Sequence, residues 1–384
     1  MLKTLGRMIG DFVKKADMLL LLLCTVATIF GIVMISSATN NEGSASYVRI
    51  QTIALLLGIL VYIVLTMIDV DIIAERRELL LIFCFLFIGS LYFFGIEADT
   101  GNKSWIEIPL LPMNAQPAEI CKIFFIIVLA KMMNIYQNKL STPLNMIKLF
   151  GITMLFFVLI IVVSRDMGVA LIYVFIFLTM TYVGGVNMLW YVAGFGALAV
   201  AAPVLWTNIM REDQKNRILA LFDPSIDPSG QGVLWQTNLS QKYIQSGGLA
   251  GQGLYNGPMV QGHAMPGQHT DFIFSSIAEE LGMLGCVVVL LLLTGIVIRC
   301  IYVGVKSGNY MNRCICIGIA GMLVFQIIVN VGVCLGVVPV IGLTLPFISY
   351  GGSSIVTMFM CMGVVSGIHM RPAPDANARY IRPK

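Results

Sequence analysis

The stretch MLLLLLCTVATIFGIVMIS, from Met18 to Ser36, decides the fold class because its 19 residues include no charged side chain. A helix of about 20 apolar residues crosses the hydrocarbon core of a bilayer, which is about 30 Å thick. Comparable runs recur along the chain. The predicted spans are Met18 to Ser36, Val48 to Ile68, Leu79 to Ile96, Pro117 to Tyr136, Ile147 to Val163, Met167 to Val186, Met188 to Trp206, Phe272 to Arg299, Cys314 to Val338 and Ser349 to His369. The sequence therefore predicts an all-α polytopic membrane protein with about ten transmembrane helices.

The composition supports the same class. Hydrophobic residues make up 58% of the chain and charged residues 11%, and the mean hydropathy is +0.88, whereas soluble domains carry about 25% charged residues. These values exclude a soluble fold. The net charge of +4 is spread along the chain without a basic patch, so we expect no nucleic-acid partner.

The chain divides into a membrane domain and two short ends. Residues 18–369 form one ten-helix domain, because the apolar segments follow one another without a linker. Residues 1–17 place Leu2, Leu5, Ile9 and Phe12 at helical spacing, which predicts an amphipathic helix on the cytoplasmic surface. Residues 370–384 form a basic tail. With both termini cytoplasmic, the positive-inside rule is satisfied, and the long polar loop at 207–271, with its short helices, lies outside the cytoplasm.

The nine cysteines lie in or beside predicted spans, and the long loop has none. We therefore expect buried thiols and no disulfide framework. His263 and His269 are too few for a convincing metal site, and none is predicted.

Two features inside or beside the spans call for an explanation. Glu119 and Lys122 are three residues apart, so they share a helix face and can pair. The pair either pins its helix to neighbouring helices or binds substrate, and both interpretations stay open. Asp166 follows Arg165 in a tight outer turn, where it either caps the next helix or points inward, toward the pair.

The long loop predicts short surface helices at Arg211 to Leu221 and Leu234 to Gln245. Its basic residues Arg211, Lys215 and Arg217 either bind an anion such as a diphosphate or form a solvated face. The loop ends at Asp271, where the eighth span begins. Asp271 or Thr270 can cap that span, and the competing hypothesis makes Asp271 a catalytic group.

Four strings carry a resemblance to a known family. They are QPAEICK (Gln116 to Lys122), SGGLAGQG (Ser246 to Gly253), HTDFIFSSIAEELG (His269 to Gly282) and VVPVIGLTLPFISYGGSS (Val337 to Ser354). Together they closely resemble the SEDS family (RodA/FtsW/SpoVE-like), the bacterial shape, elongation, division and sporulation proteins. The resemblance extends from about Asp17 to His369.

The resemblance implies a peptidoglycan glycosyltransferase in the bacterial cytoplasmic membrane. Such an enzyme is surrounded by membrane lipid and polymerises lipid II into a nascent glycan strand on the outer face of the membrane. It works with a class B penicillin-binding transpeptidase. The family's essential loop aspartate corresponds to Asp271. Its membrane Glu and Lys correspond to Glu119 and Lys122, and the Asp of its outer turn corresponds to Asp166. We also assign Arg217 and His269 to substrate binding.

Three departures from the family pattern stand out. The family's PE before HTDFIF is Pro266-Gly267-Gln268 here, its GKG is Gly251-Gln252-Gly253, and its QPSE is Gln116-Pro117-Ala118-Glu119. The changes remove a loop acid and a loop lysine. The glycine-rich stretch is therefore expected to shape a sugar groove instead of gripping phosphate.

On this basis Asp271 is expected to be the general base for attack of the acceptor 4-hydroxyl, with loss of polyprenyl diphosphate. Lys122, Arg217 or a divalent cation (Mg²⁺ or Mn²⁺) are the candidates for stabilising the leaving group. Two alternatives are a lipid II flippase and a noncatalytic scaffold for a transpeptidase.

Overall fold

The computed structural model describes residues 12, 14–40, 43–97, 102–108, 113–208, 210 and 212–372. The α-helices are α1 (Met18–Ala38), α2 (Ser44–Met67), α3 (Val70–Glu75), α4 (Arg77–Gly89), α5 (Leu91–Phe94), α6 (Pro117–Tyr136), α7 (Pro143–Ser164), α8 (Met167–Val183), α9 (Met188–Asn208), α10 (Glu212–Leu219), α11 (Trp235–Gly247), α12 (Pro258–Gln261), α13 (Ile273–Lys306), α14 (Tyr310–Cys334) and α15 (Gly352–Met370). Short 3₁₀ turns occupy Gln137–Lys139 and Pro224–Ile226.

Each of the ten predicted spans contains a helix. Within the described ranges, eight helical segments are long and apolar enough to cross a membrane, with α4 and α5 counted as one segment, Arg77–Phe94. The other two predicted spans correspond to α8, which has 17 residues, and to α6, which carries Glu119, Lys122 and Lys131. The all-α polytopic fold class is confirmed.

Helix α15 lies at the centre of the bundle and packs along α2. In its apolar window 78% of the residues are buried, whereas none is buried in that of α9. The α2–α15 backbones approach closely at Gly363, where a Cβ would lie 2.9 Å from the Tyr62 carbonyl oxygen. Small residues at such crossings are usual between membrane helices. The centre of the molecule is therefore α15, and α9 lies at its periphery.

A small sheet precedes α6, in the segment between the third and fourth predicted spans, for which we predicted no strands. Strands β1 (Ile96–Glu97), β2 (Lys103–Glu107) and β3 (Asn114–Ala115) are antiparallel in the order β1-β2-β3. Two of the three have two residues each, too few for an alternating pattern to be recognisable in the sequence.

The long loop contains both predicted surface helices, as α10 and α11. Arg211 lies outside the described residues. The glycine-rich stretch Ser246 to Gly253 packs against α13, where Gly282 interrupts the helix with a φ of +67°. The amide of Gln252 donates to the Glu279 carbonyl at 2.9 Å, and that of Met283 donates to Gly248 at 2.9 Å. A Cβ on Gly247 would lie 1.7 Å from the Ala278 carbonyl oxygen, so this contact requires glycine.

The ends of several helices meet at Asp17. Its carboxylate accepts from Leu20 N at 3.1 Å, as an N-cap of α1, and from Arg299 Nε at 2.7 Å. The Tyr62 hydroxyl donates to the Asp17 carbonyl at 2.7 Å. The predicted amphipathic helix falls largely on residues 1–11, and the basic tail on 373–384, both outside the described residues. All nine cysteines are free and buried, which confirms the prediction of buried thiols.

Candidate active site

A cavity of about 520 Å³ lies where α2, α6, α8 and α15 begin and just before the start of α13. We call it the central cavity. Its lining residues are Ile50, Asn102, Ser104, Trp105, Met113, Asn114, Gln116, Glu119, Asp166, Val169, Thr270, Asp271, Ile341, Gly342, Leu343, Thr344, Tyr350, Gly351, Gly352 and Ser354. Three of them, Glu119, Asp166 and Asp271, are carboxylates from distant parts of the chain.

Asp271 faces the central cavity and does not cap α13. The N-cap position of α13 is Phe272, with no side-chain hydrogen bond, and the Thr270 hydroxyl donates to the Gly267 carbonyl instead. The capping interpretation is therefore wrong for both Thr270 and Asp271. Oδ2 of Asp271 lies 3.7 Å from the place that a Cβ on Gly342 would occupy. Within the described chain, no group donates a hydrogen bond to this carboxylate, which is therefore available to a ligand.

The surroundings of Asp271 suit a base. Burial, and secondly the nearby Asp166 carboxylate, raise the pKa of Asp271 to about 6. Both effects disfavour the charged form. A carboxyl group with a pKa near 6 accepts a proton more readily than an ordinary aspartate and is still mostly ionised at neutral pH. Such a shift is frequent at functional sites.

Asp166 combines the two functions that the sequence left open. Its Oδ1 accepts from Val169 N at 3.0 Å and so caps α8. Its Oδ2 accepts from Gln116 Nε2 at 3.1 Å, and the residue also lines the central cavity. Burial raises the pKa of Asp166 to about 6 despite the Val169 hydrogen bond. Capping orients this carboxylate toward the cavity.

The predicted Glu119–Lys122 pair forms, with 2.7 Å between Lys122 Nζ and Glu119 Oε1. The Lys122 side chain is fully buried and is absent from the cavity wall, whereas Glu119 is part of that wall. Oε2 of Glu119 is buried and has no hydrogen-bond partner among the described residues. The pair thus holds an unsatisfied acceptor at the wall of the central cavity.

The other two predicted substrate contacts, Arg217 and His269, lie outside the cavity lining. Arg217 is on α10, and its Nη1 donates to the Val340 carbonyl at 3.2 Å. It therefore contacts the segment whose next residues, Ile341 to Thr344, form part of the wall. The His269 ring packs between Tyr47 and Tyr350, with ring centroids 5.0 and 5.6 Å away.

The sequence reasoning missed Asn330, which joins two walls of the cavity. Its Nδ2 donates to the carbonyls of Asp271 at 2.8 Å and Leu343 at 2.7 Å. The Ser349 hydroxyl also ties the walls, donating to the Thr270 carbonyl at 2.7 Å. An amide in an otherwise apolar span was the available signal, since buried polar groups in membranes require partners.

Gln268 explains one departure from the family pattern. The residue is buried, and its Nε2 donates to the carbonyls of Ala38 at 2.7 Å and Val260 at 3.0 Å, while Oε1 accepts from the Tyr243 hydroxyl at 2.9 Å. A neutral amide fits this mixed set of partners. The glycine-rich stretch, in contrast to our expectation, does not line the central cavity and instead docks on α13.

The described residues do not offer a protein-only cation site. No group of three or more His, Cys, Asp or Glu side chains among them is arranged to hold a metal ion. Both oxygens of Asp166 already accept hydrogen bonds, and Glu119 is paired with Lys122.

The fold and this site together define a polytopic membrane protein with a carboxylate-lined cavity at one end of the helix bundle. The sequence matches the family described as "Cell cycle protein" (FtsW/RodA/SpoVE) over residues 16–373, and the chain belongs to this family. This confirms the resemblance inferred from the sequence.

Individual relatives cover nearly the whole chain. The peptidoglycan glycosyltransferase MrdB of Escherichia coli (strain K12) is 28% identical over 92% of this chain and 93% of its own length. A probable peptidoglycan glycosyltransferase FtsW of Geobacter sulfurreducens is 30% identical, and the match covers 94% of this chain and 96% of that protein.

Two solved structures extend the similarity to the fold. One comes from work on the structural coordination of polymerization and crosslinking by a peptidoglycan synthase complex. It has a TM-score of 0.79 and 29% identity, and covers 94% of this chain and 99% of that chain. The rod shape determining protein RodA of Thermus thermophilus has a TM-score of 0.66 and 25% identity, and the match covers 94% of this chain and 98% of that chain.

Proposed function

We propose that this integral membrane protein is a peptidoglycan glycosyltransferase that polymerises lipid II, with Asp271 as its general base. One observation carries the assignment of the base: the Asp271 carboxylate is neither capping a helix nor hydrogen-bonded within the described chain, and it faces the central cavity. In the proposed orientation the cavity lies at the outer helix ends, where a polar sugar and a lipid tail can both be accommodated.

In the proposed reaction, Asp271 takes the proton of the acceptor sugar's 4-hydroxyl. The oxygen attacks the anomeric carbon of the donor, the bond to the polyprenyl diphosphate breaks, and the configuration inverts. Glu119 and Asp166 are proposed to bind sugar hydroxyls, because the buried Glu119 Oε2 has an unused acceptor position. Lys122 holds Glu119 in place, while Arg217 and His269 support the segments around Val340 and Tyr350.

The diphosphate needs a source of positive potential. Lys122 is buried against Glu119, and Arg217 bonds to a carbonyl outside the cavity. The start of α15 is a better-placed candidate, since Gly351, Gly352 and Ser354 line the cavity and its N-terminus carries no side-chain cap. Free backbone N–H groups at a helix N-terminus favour phosphate. A divalent cation (Mg²⁺ or Mn²⁺) remains a separate proposal, tested by polymerisation with and without a chelator.

We further propose that the chain works with a class B penicillin-binding transpeptidase. The support is the fold shared with a protein of a peptidoglycan synthase complex that coordinates polymerization and crosslinking. We place the protein in the bacterial cytoplasmic membrane with both termini inside. Co-purification from cells that carry a tagged chain tests the partnership.

The decisive experiment is Asp271→Asn in the purified full-length protein. Asparagine keeps the shape but cannot accept the proton, so glycan synthesis from lipid II should fall by at least about 10²-fold. Ser225→Asn, at an exposed site of the same loop, is the control and should leave the rate unchanged. Polymerisation at the wild-type rate by Asp271→Asn would refute the assignment of the base.

The same variant separates the rival functions. A flippase needs no base at the outer interface, so lipid II translocation into vesicles should survive Asp271→Asn. A noncatalytic scaffold predicts no polymerisation by the isolated wild-type protein. Polymerisation that depends on Asp271 excludes both alternatives as the source of that activity.

A further inference from the structure

A second cavity, of about 410 Å³, lies along α11 and shares no lining residue with the central cavity. We call it the outer groove. Its lining residues are Ser229, Gly230, Gln231, Trp235, Asn238, Leu239, Gln241, Lys242 and Gln245. A volume of this size is in the usual range for a ligand site, about 300 to 1,000 Å³.

Helix α11 has two distinct faces. Thr237, Ser240 and Tyr243 are buried against the body of the protein. Trp235 and Lys242 are exposed on the other side, seven residues apart, and therefore share one helical face. The groove side of α11 thus presents an aromatic ring and a cation, with the amides of Asn238 and Gln245 beside them, and it is not an apolar packing surface.

The wall opposite α11 consists of Ser229, Gly230 and Gln231. Asp227 holds this segment in shape. Its Oδ2 accepts from Gly232 N at 2.9 Å and Leu234 N at 3.0 Å, and its Oδ1 accepts from the Ser229 hydroxyl at 3.1 Å. These hydrogen bonds lower the pKa of Asp227, the one from Leu234 most, so its charge is retained at neutral pH. The outer groove is therefore formed before any ligand arrives.

We propose that the outer groove binds the nascent glycan strand, an N-acetylated polysaccharide, as it leaves the central cavity. The flat ring of Trp235 suits the C–H face of a pyranose, and planar amides pair with hydroxyl and N-acetyl groups. The described lining contains no carboxylate that would repel anionic substituents, and Lys242 attracts them. This inference rests on the proposed polymerase function and identifies where its product binds.

The outer groove is connected to the reaction centre through the inner face of α11. The Ser240 hydroxyl lies 2.6 Å from that of Ser275 and donates to the Cys334 carbonyl at 2.7 Å. Cys334 Sγ lies 3.8 Å from the Asp271 carbonyl oxygen. One helix, about 10 Å across, therefore separates the outer groove from the contacts around Asp271, so a strand extended by a few sugars would reach it.

The test measures binding without turnover. The full-length Asp271→Asn protein is titrated with a soluble, uncrosslinked oligosaccharide of alternating N-acetylglucosamine and N-acetylmuramic acid. Adding Trp235→Ala should weaken binding about tenfold, the usual consequence of truncating an aromatic anchor, and Trp235→Phe should restore most of it. Phe222→Ala is the matched control, because Phe222 is an 84% exposed aromatic residue of the same loop outside the groove.

In the active protein, Trp235→Ala should shorten the glycan products while the rate of the first transfer stays near wild type. Unchanged affinity in Trp235→Ala overturns the groove proposal, as does weakened capture of a transpeptidase with oligosaccharide affinity intact. If wild-type protein polymerises lipid II but never binds the oligosaccharide, the groove proposal alone fails. Absence of polymerisation by the wild type instead refutes the proposed function.

Discussion

At the residue scale, the central cavity couples two acids. Asp271 and Asp166 lie close enough that the charge of Asp166 contributes to the raised pKa of Asp271. The proposed general base, Asp271, works in its ionised form, so activity should rise as the pH increases through about 6 and be lost below it. The paired Glu119 and Lys122 add an unsatisfied acceptor to the same wall.

The substitution Asp166→Asn tests this coupling. Removing the negative charge makes it easier to ionise Asp271, so the pKa of Asp271 falls and the acidic limb of the pH–rate profile moves to lower pH. The measurement is kcat/KM for lipid II polymerisation as a function of pH. Asp223→Asn, at an exposed loop carboxylate, should leave the limb in place. If the acidic limb of the Asp166→Asn profile lies at the same pH as that of the wild type, the coupling is contradicted.

At the element scale, α13 combines a membrane span with a docking site for the long loop. The break at Gly282 exposes carbonyl groups of Glu279 and Glu280, which accept from Gln252 N and Gly253 N, each at 2.9 Å. The Glu279 carboxylate accepts from Met259 N at 3.1 Å and Val260 N at 2.7 Å and so caps α12. The break therefore fixes the loop that leads to Asp271.

Gly282→Ala should destabilise the protein by about 2 kcal/mol or more, because the residue has a positive φ and its Cβ would lie 2.4 Å from Gly251 N. Gly295→Ala, in the same helix, is the control. The nearest atom to its Cβ would be Leu23 Cδ1 at 3.8 Å, and alanine favours helix by about 1 kcal/mol. Thermal denaturation in detergent measures both. Equal melting temperatures for the two variants would contradict the strained-glycine account.

Helix α9, in contrast to α13, packs little against the rest of the protein. Its N-terminal end is anchored by Trp190 Nε1, which donates to the Ser141 carbonyl at 3.0 Å, and by the Tyr191 hydroxyl, which donates to Thr181 at 2.9 Å. The apolar window of α9 contributes no buried residue. Its apolar side chains are therefore explained by contact with lipid and not by protein packing.

At the scale of the whole molecule, the charge distribution supports the orientation proposed above. Lys and Arg cluster in the segments that we place inside, and the central cavity and outer groove then face outward. All nine native cysteines are buried, so an introduced cysteine on an exposed site reports its own side of the membrane.

Single cysteines at Ser225 and Asn138 test the orientation in intact cells or right-side-out vesicles. Ser225→Cys, in the long loop, should react with a membrane-impermeant maleimide. Asn138→Cys, between α6 and α7, should react only after permeabilisation, since both sites are exposed and the proposed topology places them on opposite sides of the membrane. The reverse pattern would invert the topology and place the central cavity inside.

Several features of this protein were determined by local sequence. The spans follow from apolar runs long enough to cross a bilayer, and the Glu119–Lys122 pair follows from a spacing of three residues on a helix. The cap formed by Asp166 likewise depends on neighbours within one turn. Family resemblance led to the proposal that Asp271 is catalytic, whereas spacing alone left capping and catalysis both open.

Only the tertiary structure decided which polar groups share the central cavity. The Asn330 contact to Asp271 joins residues 59 apart, and Gln116 reaches Asp166 across 50 positions. It also showed that Arg217 lies outside the cavity, that the glycine-rich stretch docks on α13, and that a small sheet precedes α6. The physical reason is that periodicity and capping act within a few residues, whereas a cavity is formed by side chains that only helix packing brings together.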